Sequence, residues 1–136
     1  MGRAHGRLAV LYDSECGFCA WALAWLLRWD RARTLRPVPI QSEDGARLLA
    51  EISEEQRLAS WHVCDERGAR RSGAAAFAPV LQRLPGGAPL AALAASSPRA
   101  SEAAYAWVAR HRSGLGRLVS AHAKRRSRAV IAARMH

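Results

Sequence analysis

The chain holds only three cysteines, and two of them, Cys16 and Cys19, stand in C-x-x-C spacing near its start. A scaffold stapled by several disulfides needs more sulfur than this and is excluded. No second C-x-x-C and no H-x-x-x-H pair follows, which excludes a zinc finger assembled from two such halves. No stretch approaches the ~20 apolar residues of a membrane-spanning helix. Lysine is nearly missing, because 20 of the 21 basic residues are arginine. That compositional bias weakens the case that any one arginine was placed for a partner. No acid occurs after Glu102: residues 1–102 carry 13 Lys/Arg and 11 Asp/Glu, net +2, and residues 103–136 carry 8 Lys/Arg, net +8. The body is thus close to neutral and the last quarter is basic.

With 136 residues, 50% of them apolar, the chain suits one domain with a real core. Its opening superficially resembles a signal peptide. However, Asp13, Ser14 and Glu15 interrupt the apolar part and no small-residue cleavage site follows. A cytoplasmic location is the expectation, and there a C-x-x-C pair is a redox dithiol or part of a metal site rather than a permanent staple.

Leu8–Tyr12 is a short apolar run predicting a strand buried on both faces. Residues 16–29 (CGFCAWALAWLLRW) predict a helix with Phe18, Trp21, Trp25 and Trp29 on one face and Cys19, Leu23, Leu26 and Leu27 on the other. Core packing is the expected fate of the tryptophans. Residues 35–40 predict a second strand, which Pro37 and Pro39 disfavour in the middle of a sheet. A helix from Ser42 through Glu51 follows, with acids in its first turn. Trp61–Asp65, the turn Glu66-Arg67-Gly68 and a short strand near Ala69–Arg71 predict a hairpin. Residues 73–84 and 99–112 predict helices, with Pro85-Gly86-Gly87 and Ser96-Ser97-Pro98 as loops between them.

This order implies an α/β thioredoxin-like fold, a mixed sheet of about four strands flanked by helices. The expected domain spans residues 1–112, and residues 113–136 form a basic extension, helical or partly disordered. The C-x-x-C sits where the first strand gives way to the first helix. Unpaired N–H groups at a helix start carry partial positive charge and lower a thiol pKa. Cys16 is therefore the expected attacking thiolate and Cys19 the resolving thiol. Gly17 permits close approach of a substrate backbone, and Phe18 covers Cys19 or offers an apolar contact. Asp13 has two readings, a general base for the resolving thiol or a cap on the helix. Glu15 is expected to oppose the thiolate.

Tyr12-Asp13-x-x-Cys16-x-x-Cys19 resembles the signature of the DCC family, thiol-disulfide oxidoreductases named for that Asp-Cys-Cys motif. Further likeness lies in His62-Val63, Asp65, Gly68, Gly73-Ala74 and Ala76-Phe77, and in Tyr105 with Arg110-His111-Arg112, so that it covers about residues 8–112. The resemblance implies a thioredoxin-like fold and a redox dithiol that exchanges with a protein or small thiol substrate, without a cofactor. Ser14 stands where the family usually has glycine. Thioredoxin itself has a cis-proline facing its dithiol; no proline lies between Pro39 and Pro79 here, so Ser60, followed by Trp61, is expected to take that place beside the substrate.

Two other classes compete. His62 and Cys64 alternate onto one strand face, and with Cys16 and Cys19 they would make a Cys3His zinc set. Against this, Cys64 reads as a small buried hydrophobe and His62 as a packed strand residue. The cluster Lys124-Arg125-Arg126-Ser127-Arg128 suits attachment to nucleic acid or an anionic membrane, and a binding module on a redox-like scaffold would use it. A solvated, arginine-enriched terminus is the preferred expectation.

Overall fold

Strand β1 (Leu8–Tyr12) is buried along its whole length, as its unbroken apolar sequence requires. Around it, in a computed structural model that describes residues 7–135, lies a four-stranded sheet of order β2-β1-β3-β4. β2 (Leu35–Pro39) runs parallel to β1 in the register Leu8↔Leu35 to Tyr12↔Pro39. It forms a sheet edge, the position its two prolines tolerate. β3 (His62–Cys64) runs antiparallel to β1, and β4 (Arg70–Ser72) closes the hairpin. Gly68 makes the hairpin turn at φ +88°, a conformation other residues adopt only under strain.

Helix α1 (Gly17–Trp29) packs on the β1 face that presents Leu8, Val10 and Tyr12. Its buried residues are Ala20, Leu23, Ala24 and Leu27, an i, i+3, i+4, i+7 stripe. The tryptophan face is therefore turned away from the sheet, contrary to expectation: Trp25 is 55% exposed, with Arg28 over its ring at 5.4 Å. The two alanines let helix and sheet approach more closely than indoles would allow. Only Trp29 of that face joins the core margin, donating from Nε1 to the Pro85 carbonyl at 2.8 Å.

On the opposite sheet face Ala9, Leu11, Val38 and Cys64 cluster with Ile40 and with Leu49, which follows the next helix. Helices α2 (Glu43–Leu48) and α3 (Glu54–Ala59) divide the segment after β2; the expected helix to Glu51 ends early, and α3 was not foreseen. A 3-10 turn at Gly73–Ala76 leads into α4 (Phe77–Arg83). α5 (Ala88–Ser96) fills a stretch expected to connect two helices.

The C-terminal segment departs most from expectation. α6 (Pro98–Leu118) runs through residue 112, so a domain boundary there falls inside a helix. α7 (Ala121–Met135) then packs against α1, burying Ser127 and Ile131. Ile131 joins Leu8, Leu23, Leu27 and Leu35 in one core cluster. The segment is helical, one of the two states expected of it, and α7 packs on the body, while Arg125, Arg126 and Arg128 of its basic cluster remain exposed. Among the described residues, no helix is long and apolar enough to cross a membrane.

Candidate active site

The loop from β1 into α1 is fixed by its own short side chains. The Cys16 amide donates to the Asp13 carbonyl at 3.1 Å, and Ala20 donates to the Cys16 carbonyl to begin the helix. Cys16 itself is the N-cap: its Sγ accepts from the Cys19 amide at 3.2 Å. Asp13 therefore does not cap α1. Its Oδ1 accepts from the Glu15 amide at 3.0 Å and from Gln41 Nε2 at 2.8 Å. Gln41 Oε1 in turn accepts from the Ser14 amide and from the Ser14 hydroxyl, at 3.1 and 2.9 Å. The serine that departs from the family pattern thus ties the motif to the end of β2.

This geometry splits the two thiols. Hydrogen bonding to the Cys19 side chain lowers the Cys16 pKa from 9.0 to about 6; the Cys19 amide and the Arg112 charge help, while burial and Asp13 oppose it. Cys19 moves the other way, because its hydrogen bond to Cys16 and its burial disfavour a second thiolate beside the first. The acid that opposes the thiolate is Asp13, whereas Glu15 points to solvent. Both cysteines are free and half-buried.

Cys19 forms part of the wall of an apolar cavity of about 470 Å3 between α1 and α6. Tyr12, Asp13, Phe18, Ser60 and Trp61, all expected near the site, line the same cavity. Burial raises the Tyr12 pKa. Trp61 donates from its amide to the Tyr105 hydroxyl at 3.1 Å and from Nε1 to the Gly73 carbonyl at 2.9 Å, and its carbonyl accepts from the Gly73 amide at 3.1 Å and the Ser60 hydroxyl at 3.2 Å. Gly17 stands apart from the cavity. A Cβ there would lie 2.7 Å from Lys124 Cε, so the close approach at Gly17 is made by the chain's one lysine, from α7.

Four contributors escaped the sequence reading of the site: Gln41, Tyr105, Arg112 and Lys124. Tyr105 and Arg112 had appeared only within a stretch of family likeness. They come from α6, whose last turn lies against the start of α1, with Gly116 buried beside Phe18. Arg112 Nη2 donates to the Leu58 carbonyl at 2.8 Å, which anchors the guanidinium near both thiols.

His62 and Cys64 are not brought to the dithiol. They face the other side of the sheet, where burial raises the Cys64 pKa. His62 Nε2 lies 3.0 Å from the Arg57 carbonyl and Nδ1 lies 2.6 Å from the Ser72 hydroxyl. A carbonyl only accepts, so Nε2 carries the proton and Nδ1 accepts from Ser72. Burial lowers the His62 pKa, consistent with a neutral, fully bonded ring. Among the described residues, no three or more His, Cys, Asp or Glu side chains group as a metal site.

Neither curated proteins nor solved structures yield a match to this chain. A family model does match, that of the DCC1-like thiol-disulfide oxidoreductases, over residues 10–118. The matched span runs from β1 to the last turn of α6 and includes the split thiol pair, Asp13, Ser60-Trp61, Tyr105 and Arg112. With most of its length covered, the chain belongs to the DCC1-like thiol-disulfide oxidoreductase family.

Proposed function

We propose that the protein exchanges a Cys16–Cys19 dithiol or disulfide with a thiol or disulfide substrate, with Cys16 as nucleophile. The observation that carries this reading is the N-cap geometry, in which one sulfur accepts the other cysteine's amide and has its pKa lowered to about 6. In the forward sense the Cys16 thiolate attacks a substrate disulfide and forms a mixed disulfide. Cys19 then loses its proton, attacks the Cys16 sulfur and releases the substrate as a thiol. Asp13, on the wall of the same cavity as Cys19, is the base assigned to that proton, with Gln41 orienting it. Arg112 offsets the negative charge at the pair.

A redox titration in glutathione buffers, with alkylation and mass counting of thiols, tests the pairing. Two thiols are expected to disappear together and reversibly, and peptide mapping is expected to place the bond between Cys16 and Cys19 with Cys64 still free. A bond to Cys64 would contradict the assignment, because Cys64 lies on the opposite face of the sheet.

A further inference from the structure

The cavity beside Cys19 is built for something less polar than a generic peptide thiol. Its volume of about 470 Å3 falls within the ~300–1,000 Å3 of small-molecule sites and is more than one apolar side chain fills. Val10 and Leu23 form its buried base, and Phe18, Trp61, Phe77 and Val108 surround it. Each of the two charged groups on its wall has a partner within the protein: Asp13 Oδ1 accepts from Gln41 and the Glu15 amide, and Arg112 Nη2 donates to the Leu58 carbonyl. Among the described residues, no buried side-chain polar atom lacks a partner, and most of the wall is apolar side chain. Water in such a space has few hydrogen-bond partners, and an apolar occupant displaces it favourably.

We infer that the cavity receives the organic substituent of a neutral, lipophilic thiol or disulfide of low molecular weight, and holds its sulfur at the dithiol. The inference rests on the exchange reaction proposed above and adds its substrate class. The Cys16 thiolate attacks one sulfur of R–S–S–R; that S–S bond breaks, and the first RS− leaves and takes a proton from water. The Cys19 proton passes to Asp13, and the Cys19 thiolate attacks the Cys16 sulfur. The second RS− leaves and is protonated from Asp13. Two electrons pass from the dithiol to the substrate, giving two RSH and one Cys16–Cys19 disulfide.

The test compares reduction of dibenzyl disulfide and of hydroxyethyl disulfide by the reduced full-length protein. Ala109→Phe and Ala22→Phe fill the cavity from its α6 and α1 walls respectively, and circular dichroism identifies the variants that remain folded. The native protein is expected to prefer dibenzyl disulfide, and the filled variants to lose about tenfold or more of that preference, the worth of burying one apolar group. Their rate on hydroxyethyl disulfide is expected to stay within about twofold, because the dithiol is untouched. Equal rates on both disulfides in the native protein would overturn the inference, as would an undiminished preference in a folded, filled variant. Calorimetric titration with benzyl methyl sulfide, which cannot exchange, separates the two claims. Exchange of hydroxyethyl disulfide without sulfide binding would sink the substrate class and leave the redox reading standing. Sulfide binding that filling abolishes, with neither disulfide reduced, would sink the redox reading and the thiol substrate with it.

Discussion

Replacing Arg134 with alanine is expected to destabilise the protein by about 3 kcal/mol, the lower end of the ~3–5 kcal/mol for breaking a buried ion pair. The Asp30 side chain is fully buried and the Arg134 side chain is 10% exposed, with Nη1 and Oδ2 2.7 Å apart. The guanidinium also reaches the backbone at the end of α1 and the start of β2, donating from Nη2 to the Leu27 carbonyl at 2.8 Å and from Nη1 to the Leu35 carbonyl at 3.3 Å. Asp30 keeps bonds from the Thr34 amide, the Thr34 hydroxyl and the Leu35 amide, which is why the lower end of the range applies. Arg134→Lys is expected to recover only part of the loss, since an ammonium cannot reproduce the fork. In a thermal melt the alanine variant is expected to unfold roughly 10 °C lower. A solvated tail would predict almost no change, because exposed pairs are worth ~0–1 kcal/mol. The basic charge of the last quarter is thus partly structural, and Arg134 binds the C-terminus to the helix that carries the dithiol.

The second large effect concerns the two thiols, which are expected to fail differently. Cys16→Ser is expected to abolish exchange, because the remaining thiol is half-buried, burial still raises its pKa, and no second thiol is left to close a disulfide with it. Cys19→Ser is expected to retain the attack and stop at a mixed disulfide on Cys16, visible as a stable adduct by intact mass. Two opposing effects set the advantage of Cys16. With a pKa of about 6 rather than 9.0, its thiolate fraction at neutral pH is ~90-fold larger. Its intrinsic nucleophilicity falls by roughly 20-fold over the same shift, for a Brønsted slope near 0.45. The fraction wins by only a few-fold against an ordinary thiol. Against Cys19 it wins far more, because the second thiolate is disfavoured beside the first. A stable adduct in Cys16→Ser, at Cys19, would reverse the roles.

The parts of this arrangement that rest on local pattern were legible in the sequence. β1, the start of α1 and the β3–β4 hairpin follow from an unbroken apolar run, the strand-to-helix change at Asp13 and a Gly68 turn. The edge position of β2 followed from its prolines. What escaped reading depends on tertiary contact. Ser53 and Gln56 form a capping box that opens α3, but no apolar run follows it to mark a helix. The helix expected over residues 99–112 runs on to Leu118, and Gly116 in its extension lies against α1. Core packing is expected of the tryptophans, yet Ala20, Leu23, Ala24 and Leu27 are the α1 residues that are buried, and which stripe of a helix apolar nearly all round faces the sheet depends on tertiary packing. Arg112 and Lys124 looked like composition. Their positions beside Cys19 and Gly17 exist only once α6 and α7 have folded over α1.

Cys16, at the start of α1, is the proposed thiolate nucleophile. The direct test of that role is the pH dependence of mono-alkylation of the reduced protein, with the modified residue identified by peptide mass. Labelling is expected at Cys16 first, rising with pH to half its maximal rate near pH 6 and levelling off above neutrality, since the lowered pKa leaves the thiolate fully formed there. A Cys16 rate that keeps climbing toward the ordinary thiol value of 9.0, or labelling of Cys19 ahead of Cys16, would contradict the account.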